Sequence, residues 1–189
     1  MSHFTKISTE IRDLAALKKA AESMGFHMIP GASCRYYFGE KEMDHVIRLP
    51  GKYDLGVKSE TEGRYSLQAD FWAGHVTKYV GPNASLLMQK YSLEKIRCEA
   101  EKMGLSIFSG ENPNQISLYD TETGGTINCT VTSDGQATFA TEGFEGGTCM
   151  KFRALEEALG ATQEMEYTSE YYVPETRAAA TIEVGCEEQ

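Results

Sequence analysis

A helix that ends on a glycine recurs along this chain and limits the folds it can adopt. At Phe4–Gly25 a β-like run leads into an amphipathic helix, a lysine-rich turn and a glycine, and the helix with its glycine exit occurs again at Tyr91–Gly104. Glycine readily adopts the left-handed conformation that ends a helix, so both patterns fix a helix boundary. A smaller strand–strand–helix–strand unit follows at Thr126–Tyr167. Together these patterns predict two α+β modules in one chain.

The first module, residues 1–122, is predicted to be a mainly antiparallel sheet with two covering helices. An opening strand leads into the first helix, for which Thr9 is the expected N-cap residue. Short strands follow as far as Phe71, with a break at Pro30-Gly31. The second helix is predicted to begin near Pro82, which suits a first helical turn, and two closing strands complete the module.

The second module, residues 123–175, is predicted to be a small ββαβ unit. Asp134-Gly135 is a strong hairpin signal between its first two strands. A glycine-rich loop precedes the helix, which is predicted over Cys149–Leu159, and a third strand follows. Residues 176–189 hold few large apolar side chains and are predicted to form a mobile tail.

The net charge of −10 is concentrated in the second module. Residues 1–122 carry 16 acidic and 15 basic side chains, whereas residues 123–189 carry 12 acidic and 3 basic ones. This change in composition favours a module boundary near Thr123–Gly125. Without a basic patch to contact phosphates, nucleic-acid binding by the second module is not expected. Its acidic residues form either a solvated face or a mimic of DNA charge.

Cysteine and histidine usage points to a reducing compartment without a metal site. The five cysteines are an odd number without CxxC spacing, which is typical of intracellular proteins. The four histidines show no spacing of a zinc site. No apolar run approaches the roughly 20 residues that span a bilayer, and no signal-peptide core is seen. We therefore expect a cytoplasmic protein with no membrane contact, metal or cofactor.

The sharpest chemical candidate is Cys149. It follows Gly146, Gly147 and Thr148 at the predicted start of a helix, where backbone N–H groups and the helix dipole stabilise a thiolate or bind an anion. The same cysteine begins the apolar stripe of its helix, which is typical of a buried structural cysteine. The sequence leaves both interpretations open.

A second group of residues is a candidate surface for a partner. The group consists of His3, Asp54, Asp70, Trp72, Tyr171 and Tyr172. The two aspartates could instead cap turns or meet Lys and Arg on neighbouring strands, and His3 could bond at a sheet edge. The two tyrosines either form an aromatic contact patch or close a small core with their hydroxyls in water.

Several motifs resemble a known family in the order in which they occur. They are the opening Met1–Ala20, then Tyr53-Asp54-Leu55-Gly56-Val57, then Tyr65–Trp72 and then Gln89–Ile96. Residues 1–120 thereby resemble the uncharacterised family called domain of unknown function twelve fifty-seven, which occurs in red-algal plastids, cyanobacteria and other bacteria. The resemblance implies a location in bacterial or phage-infected cytoplasm, or in the plastid stroma.

A second resemblance covers Gly124–Glu175. The Asp-Gly hairpin, the Gly-Gly-Thr-Cys loop and the Leu-Glu-Glu-Ala-Leu-Gly helix end are similar to domain of unknown function twenty-nine ninety-seven. Members of the two families are usually separate short proteins whose genes lie near each other and near an AAA-class ATPase. The resemblance implies an accessory role around such an ATPase, and the fusion implies that the two modules pack or act together.

Three functions are consistent with these features. The one we favour is a non-enzymatic adaptor that binds a protein partner, such as an AAA-class ATPase or its client, with acidic residues directing it toward a basic surface. The first alternative is a small-ligand protein that binds a nucleotide or another anion at Gly146–Cys149 or in the cleft between the modules. The second alternative is a thiol-redox protein that uses Cys149. Open sheet edges also favour a homo-oligomer.

Overall fold

The structure, a computed structural model, describes residues 3–110, 112–144 and 152–167, with the backbone alone for residues 3–9, 62 and 161–167. These residues form ten strands and four helices. The strands are β1 (His3–Thr9), β2 (His27–Tyr36), β3 (Gly39–Arg48), β4 (Leu55–Ser59), β5 (Tyr65–Gln68), β6 (Ser106–Ser109), β7 (Gln115–Tyr119), β8 (Thr126–Val131), β9 (Ala137–Glu142) and β10 (Gly160–Tyr167). The helices are α1 (Leu14–Ser23), α2 (Thr77–Val80), α3 (Ser85–Lys102) and α4 (Arg153–Leu159).

The described strands form two antiparallel sheets. Sheet A has the strand order β10-β1-β9-β8-β7-β6, and sheet B has the order β2-β3-β4-β5. Helices α1 and α3 cover sheet B, and β8, β9, α4 and β10 occur in the predicted ββαβ order. The fold is therefore α+β, as the sequence predicts.

Helix α1 begins later than the sequence predicts. The predicted N-cap Thr9 is the last residue of β1 and pairs with Gly160. Asp13 caps the helix instead, because its Oδ1 accepts hydrogen bonds from the N–H groups of Ala15 at 3.0 Å and Ala16 at 3.1 Å. The prediction was wrong because sheet pairing extends the strand through Thr9, and a cap residue is needed only where the helix starts.

Strand β2 also differs from the prediction, because it runs through Pro30-Gly31 without a break. Pro30 pairs with His45, and Ala32 continues the register with Met43. Proline lacks an N–H donor but is tolerated on an edge strand, and β2 is an edge of sheet B.

Helix α3 packs against both sheets through different parts of its surface. Leu87 and Tyr91 are fully buried in a core with α1 and sheet B. Ile96 and Ala100, further along the same helix, are fully buried in a second core with sheet A and α4. The helix is thus the shared layer between the two sheets.

The predicted boundary between modules lies inside sheet A. Strand β7 pairs directly with β8, and the turn between them is closed by the Asp120 N–H bond to the Gly125 carbonyl at 3.0 Å. Gly124 has a φ of +74°, which glycine adopts without strain. Strands from both predicted modules therefore share one sheet. The Thr123–Gly125 stretch that indicated a boundary is a turn between neighbouring strands.

The first strand belongs to the second module's sheet, which the sequence did not predict. Strand β1 lies between β9 and β10, with Phe4 paired to both Ala140 and Glu166. The closing strands β6 and β7 also lie in sheet A. Neighbouring strands are often neighbours in sequence, so assigning β1 to the first sheet followed chain order and was wrong.

The residues between β1 and α1, Glu10–Asp13, connect the two sheets; we call them the junction segment. The N–H of Glu10 donates to the carbonyl of Leu159 at the end of α4, 2.9 Å away. Ile11 forms an antiparallel bridge with Tyr65 of β5, whose N–H donates to the Ile11 carbonyl at 2.9 Å. One short segment therefore bonds to elements on both sides of the molecule.

The junction segment is also bonded to α3. The hydroxyl of Tyr91 accepts hydrogen bonds from the N–H of Arg12 at 3.0 Å and of Asp13 at 3.3 Å, and it donates to the Glu10 carbonyl at 3.2 Å. The ammonium of Lys95 lies 2.9 Å from Asp13 and 2.7 Å from Glu99. A buried hydroxyl and a buried ammonium are both satisfied by this arrangement.

The β8–β9 hairpin, confirmed at Asp134-Gly135, is held close to α3. Ser92 donates from its hydroxyl to the Gly135 carbonyl at 2.7 Å, and the Gln89 amide donates to the Val131 carbonyl at 3.2 Å. Gly135 has a φ of +86°, and a Cβ added there would lie 2.7 Å from the Cβ of Met88. Only glycine fits both the backbone conformation and the space.

We expect Gly135→Ala to lower the free energy of unfolding by about 2–3 kcal/mol, because strain at positive φ is added to a steric clash with α3. Gly25→Ala is the matched control, since Gly25 has a similar φ of +81° but nothing within 4 Å of an added Cβ. The measurement is urea unfolding followed by circular dichroism. Equal losses in the two variants would show that the contact with α3 is not tight.

Candidate aromatic binding site

Three large aromatic side chains are exposed together on sheet B. Tyr37 and Phe38 form the turn between β2 and β3, and Trp72 begins a single 3₁₀ turn after β5. Their exposed fractions are 56%, 97% and 67%. We call these three residues and the adjacent Asp70 the aromatic patch. Exposed aromatic side chains grouped in this way commonly mark an interaction site.

The aromatic patch surrounds one cavity. The ring centroids of Tyr37 and Phe38 are 4.8 Å apart with planes at 88°, and those of Tyr37 and Trp72 are 5.7 Å apart with planes at 64°. These are edge-to-face contacts, which the charge distribution of aromatic rings favours. The rings and Asp70 line a cavity of about 320 Å³. Because neighbouring rings are steeply inclined to each other, the rings that line this cavity lie in different planes.

The backbone before and after Trp72 fixes its position. Asp70 accepts the Trp72 N–H on its Oδ1 at 3.0 Å. Phe71 packs against the core of sheet B, and Val76 is fully buried there. Between them, Ala73 has a φ of +55°, which is unfavourable for a residue with a side chain. Strained conformations of this kind occur more often at functional sites, where the surrounding structure maintains them.

Tyr53 lies close to the charge of Asp70. Its ring is buried and packs edge-to-face against His75 at a centroid distance of 4.9 Å. Burial raises the pKa of Tyr53, and the negative charge of Asp70 raises it further. The Asp70 carboxylate therefore adds negative potential to the aromatic patch.

Asp54 does not belong to this surface, although the sequence placed it there. Its side chain is fully buried and forms an ion pair with both Arg35 and Arg48. Arg35 binds it through two nitrogens, with Nε 2.7 Å from Oδ2 and Nη2 2.6 Å from Oδ1. The N–H of Leu49 also donates to it at 3.2 Å. The other interpretation of Asp54, pairing with cations on neighbouring strands, is the one observed.

This network keeps Asp54 ionised. Burial pushes the pKa of Asp54 upward, but the hydrogen bonds from Arg35 and from the Leu49 and Arg35 N–H groups outweigh it and hold the pKa below the ordinary value. The guanidinium of Arg35 donates in addition to the Leu49 carbonyl at 3.1 Å. Arg35, beside the turn of the β2–β3 hairpin, is thereby tied to the loop before β4.

We expect Asp54→Asn to lower the free energy of unfolding by about 3 kcal/mol near neutral pH. The amide of asparagine places N–H donors against the donors of Arg35 and Arg48 and removes the compensating charge. Urea unfolding at several pH values measures the loss. Asp44→Asn is the control, since Asp44 is an exposed residue of the same sheet whose Oδ2 accepts the Ser59 N–H at 2.7 Å.

The difference in the free energy of unfolding between wild type and Asp54→Asn should depend on pH. Because the folded pKa of Asp54 lies below its unfolded value, its stabilisation is present above about pH 4 and is lost as the pH falls through the folded pKa. The difference between wild type and Asp54→Asn should therefore shrink on acidification. A loss no larger than that of Asp44→Asn, or one independent of pH, would contradict the buried ion pair.

The described cysteines differ in accessibility. Cys34 and Cys129 are buried, and burial raises the pKa of both thiols. Cys98 is partly exposed on α3, with its sulfur 3.7 Å from the ammonium of Lys19. A cysteine reacts as its thiolate, and the reagent must also reach the sulfur. Burial disfavours the thiolate and blocks access in Cys34 and Cys129, so both are inert.

We expect iodoacetamide to modify Cys98 in the native protein well before Cys34 or Cys129, as measured by peptide mapping of timed samples. In denaturant, where burial no longer differs, the three rates should become similar. Native labelling of Cys34 or Cys129 as fast as that of Cys98 would contradict their burial.

The structure brings together part of the predicted surface. Asp70 and Trp72 lie in one patch, while the backbone of His3 lies at the start of β1, opposite Tyr167. Gly146, Gly147, Thr148, Cys149, Tyr171 and Tyr172 lie outside the described residues. Within those that are described, no group of three or more His, Cys, Asp or Glu is placed to hold a metal ion, and no helix is long and apolar enough to cross a membrane.

Sequence reasoning missed Tyr37 and Phe38. Aromatic residues favour strands, so the pattern predicts a strand through Cys34–Phe38. The structure places Tyr37 and Phe38 in the turn, where Gly39 with a φ of +119° begins the return strand. Three consecutive aromatics directly before a glycine were the available signal of an exposed turn.

Two family models match this chain. Residues 20–118 match Protein of unknown function (DUF1257), and residues 127–172 match Protein of unknown function (DUF2997). The chain belongs to the DUF1257 family. The first match spans more than half of the chain and contains the whole aromatic patch. A comparison with curated proteins finds no match, and neither does one with solved structures.

Proposed function

We propose that this DUF1257 protein is a non-enzymatic accessory that binds a partner protein through the aromatic patch. The observation that carries the proposal is the grouping of three exposed aromatic side chains around one cavity. Tyrosine and tryptophan are enriched among the residues that dominate protein–protein affinity, because they bury a large area with few rotatable bonds.

The position of the aromatic patch on the fold supports this role. Tyr37 follows Arg35 by two positions on the same hairpin, and the Arg35 side chain is fixed by buried Asp54. Trp72 is fixed by the hydrogen bond from its N–H to Asp70 and by the core packing of Phe71 and Val76 on either side of its turn. A patch that is in place before binding loses little conformational entropy when a partner docks.

The family resemblance supports the class of partner. It implies an accessory role around an AAA-class ATPase, so the proposed occupant is such an ATPase or its client. The acidic net charge of −10 would attract a basic surface and raise the rate of encounter.

We expect Phe38→Ser combined with Trp72→Ser to abolish capture of the partner from lysate of the native host. Tagged wild type and variant are compared by quantitative mass spectrometry, and the protein that the variant fails to capture is then purified. Its dissociation constant, measured by calorimetry, should rise at least about thirtyfold for the variant.

Phe108→Ser is the matched control, because Phe108 is also an exposed aromatic, at 57%, but lies on β6 of sheet A. It should leave capture and affinity unchanged. Equal binding by wild type and the double variant would overturn the proposal. Loss of self-association alone, with no other protein bound, would assign the patch to a contact between copies of this chain.

A further inference from the structure

We infer that the aromatic patch receives a cationic side chain, lysine or arginine, from the partner protein. This inference rests on the proposed function and specifies the chemistry that the patch recognises. Two observations support it, the arrangement of the rings and the position of Asp70.

The rings provide the first part of the argument. Tyr37 stands nearly perpendicular to Phe38 and at 64° to Trp72, so the cavity is bounded by rings in different planes. The face of an aromatic ring carries partial negative charge and attracts a cation, most strongly in tryptophan. Rings in different planes around one cavity can present faces to an ammonium or guanidinium group from more than one side.

Asp70 provides the second part. It is the charged residue that lines the cavity, alongside three aromatic ones. One of its oxygens accepts the Trp72 N–H, and an ionised carboxylate has about four acceptor positions in all. A purely apolar side chain would gain nothing from this carboxylate, whereas a cation would pair with it and also be attracted by the ring faces. The cavity of about 320 Å³ is large enough for the end of a lysine or arginine side chain.

The chain supplies its own reporter for the test. Trp72 is its single tryptophan and is largely exposed, so its fluorescence reports directly on occupancy of the patch. The probes are a blocked pentapeptide with one central lysine, the same peptide with trimethyl-lysine, and a version whose terminal nitrogen is replaced by carbon. The last has the shape of trimethyl-lysine without the charge.

We expect both charged peptides to shift the Trp72 emission saturably and the neutral peptide to bind at least about fivefold more weakly than its trimethyl-lysine counterpart. Asp70→Asn should weaken the charged peptides about fivefold and leave the neutral one unchanged. Its side-chain oxygen can still accept the Trp72 N–H, so the turn should be retained. Phe38→Leu, which keeps apolar volume without a ring, should likewise weaken only the charged peptides.

Equal affinities for the charged and neutral peptides, or no effect of Asp70→Asn, would overturn the inference. Choline is the last ligand tested. If it bound more tightly than either charged peptide, the cation would not come from a protein side chain, and the inference would be wrong. The outcomes also separate the two proposals. Patch-dependent partner binding without charge selectivity refutes only this inference, whereas charge-selective peptides with no partner captured refute the proposed function.

Discussion

The contact between α3 and the junction segment is the interaction on which the rest of the structure depends. The Tyr91 hydroxyl bonds three backbone groups of that segment, and Lys95 binds its last residue, Asp13. Burial alone would lower the pKa of Lys95, but the hydrogen bonds to Glu99 and Asp13 raise it. Asp13 in turn caps α1. The start of α1, the bridge to β5 and the packing of α3 are thus all fixed at the junction segment. This explains how the two sheets are held in one arrangement.

The aromatic patch lies at the far end of this chain of constraints. Sheet B is covered by α1 and α3. Asp54 pairs with Arg35 beside the turn of the β2–β3 hairpin and with Arg48 at its open end, and Tyr37 and Phe38 form that turn. Binding surfaces are often carried on loops supported by a rigid scaffold. In this protein the supporting contact is an ion pair around a fully buried carboxylate, and the exposed patch is aromatic with one carboxylate.

Local sequence patterns predicted the helices and strands well. The arrangement of the strands in the sheets was harder to predict, because it depends on pairing between distant parts of the chain. The α+β class, the Asp134-Gly135 hairpin and the ββαβ order followed from turn chemistry and periodicity, which act over a few residues. The position of β1 could not be predicted, because strand pairing across most of the chain leaves no local signature. For Asp54 the sequence offered both a surface and an ion pair, and only the positions of Arg35 and Arg48 decide between them. Asp70 and Trp72 were identified, but their neighbours Tyr37 and Phe38 come from a distant hairpin.

The position of β1 between β9 and β10 has a consequence for synthesis on the ribosome. This strand is translated well before its partners, because Ala140 and Glu166 lie far along the chain from Phe4. Sheet A can be completed only after β10 has left the exit tunnel, and until then β1 lacks its neighbours. A nascent strand with open edges is prone to pair wrongly. Early folding would therefore begin with sheet B and α1, whose contacts lie close together in sequence, and the closure of sheet A would be the final step.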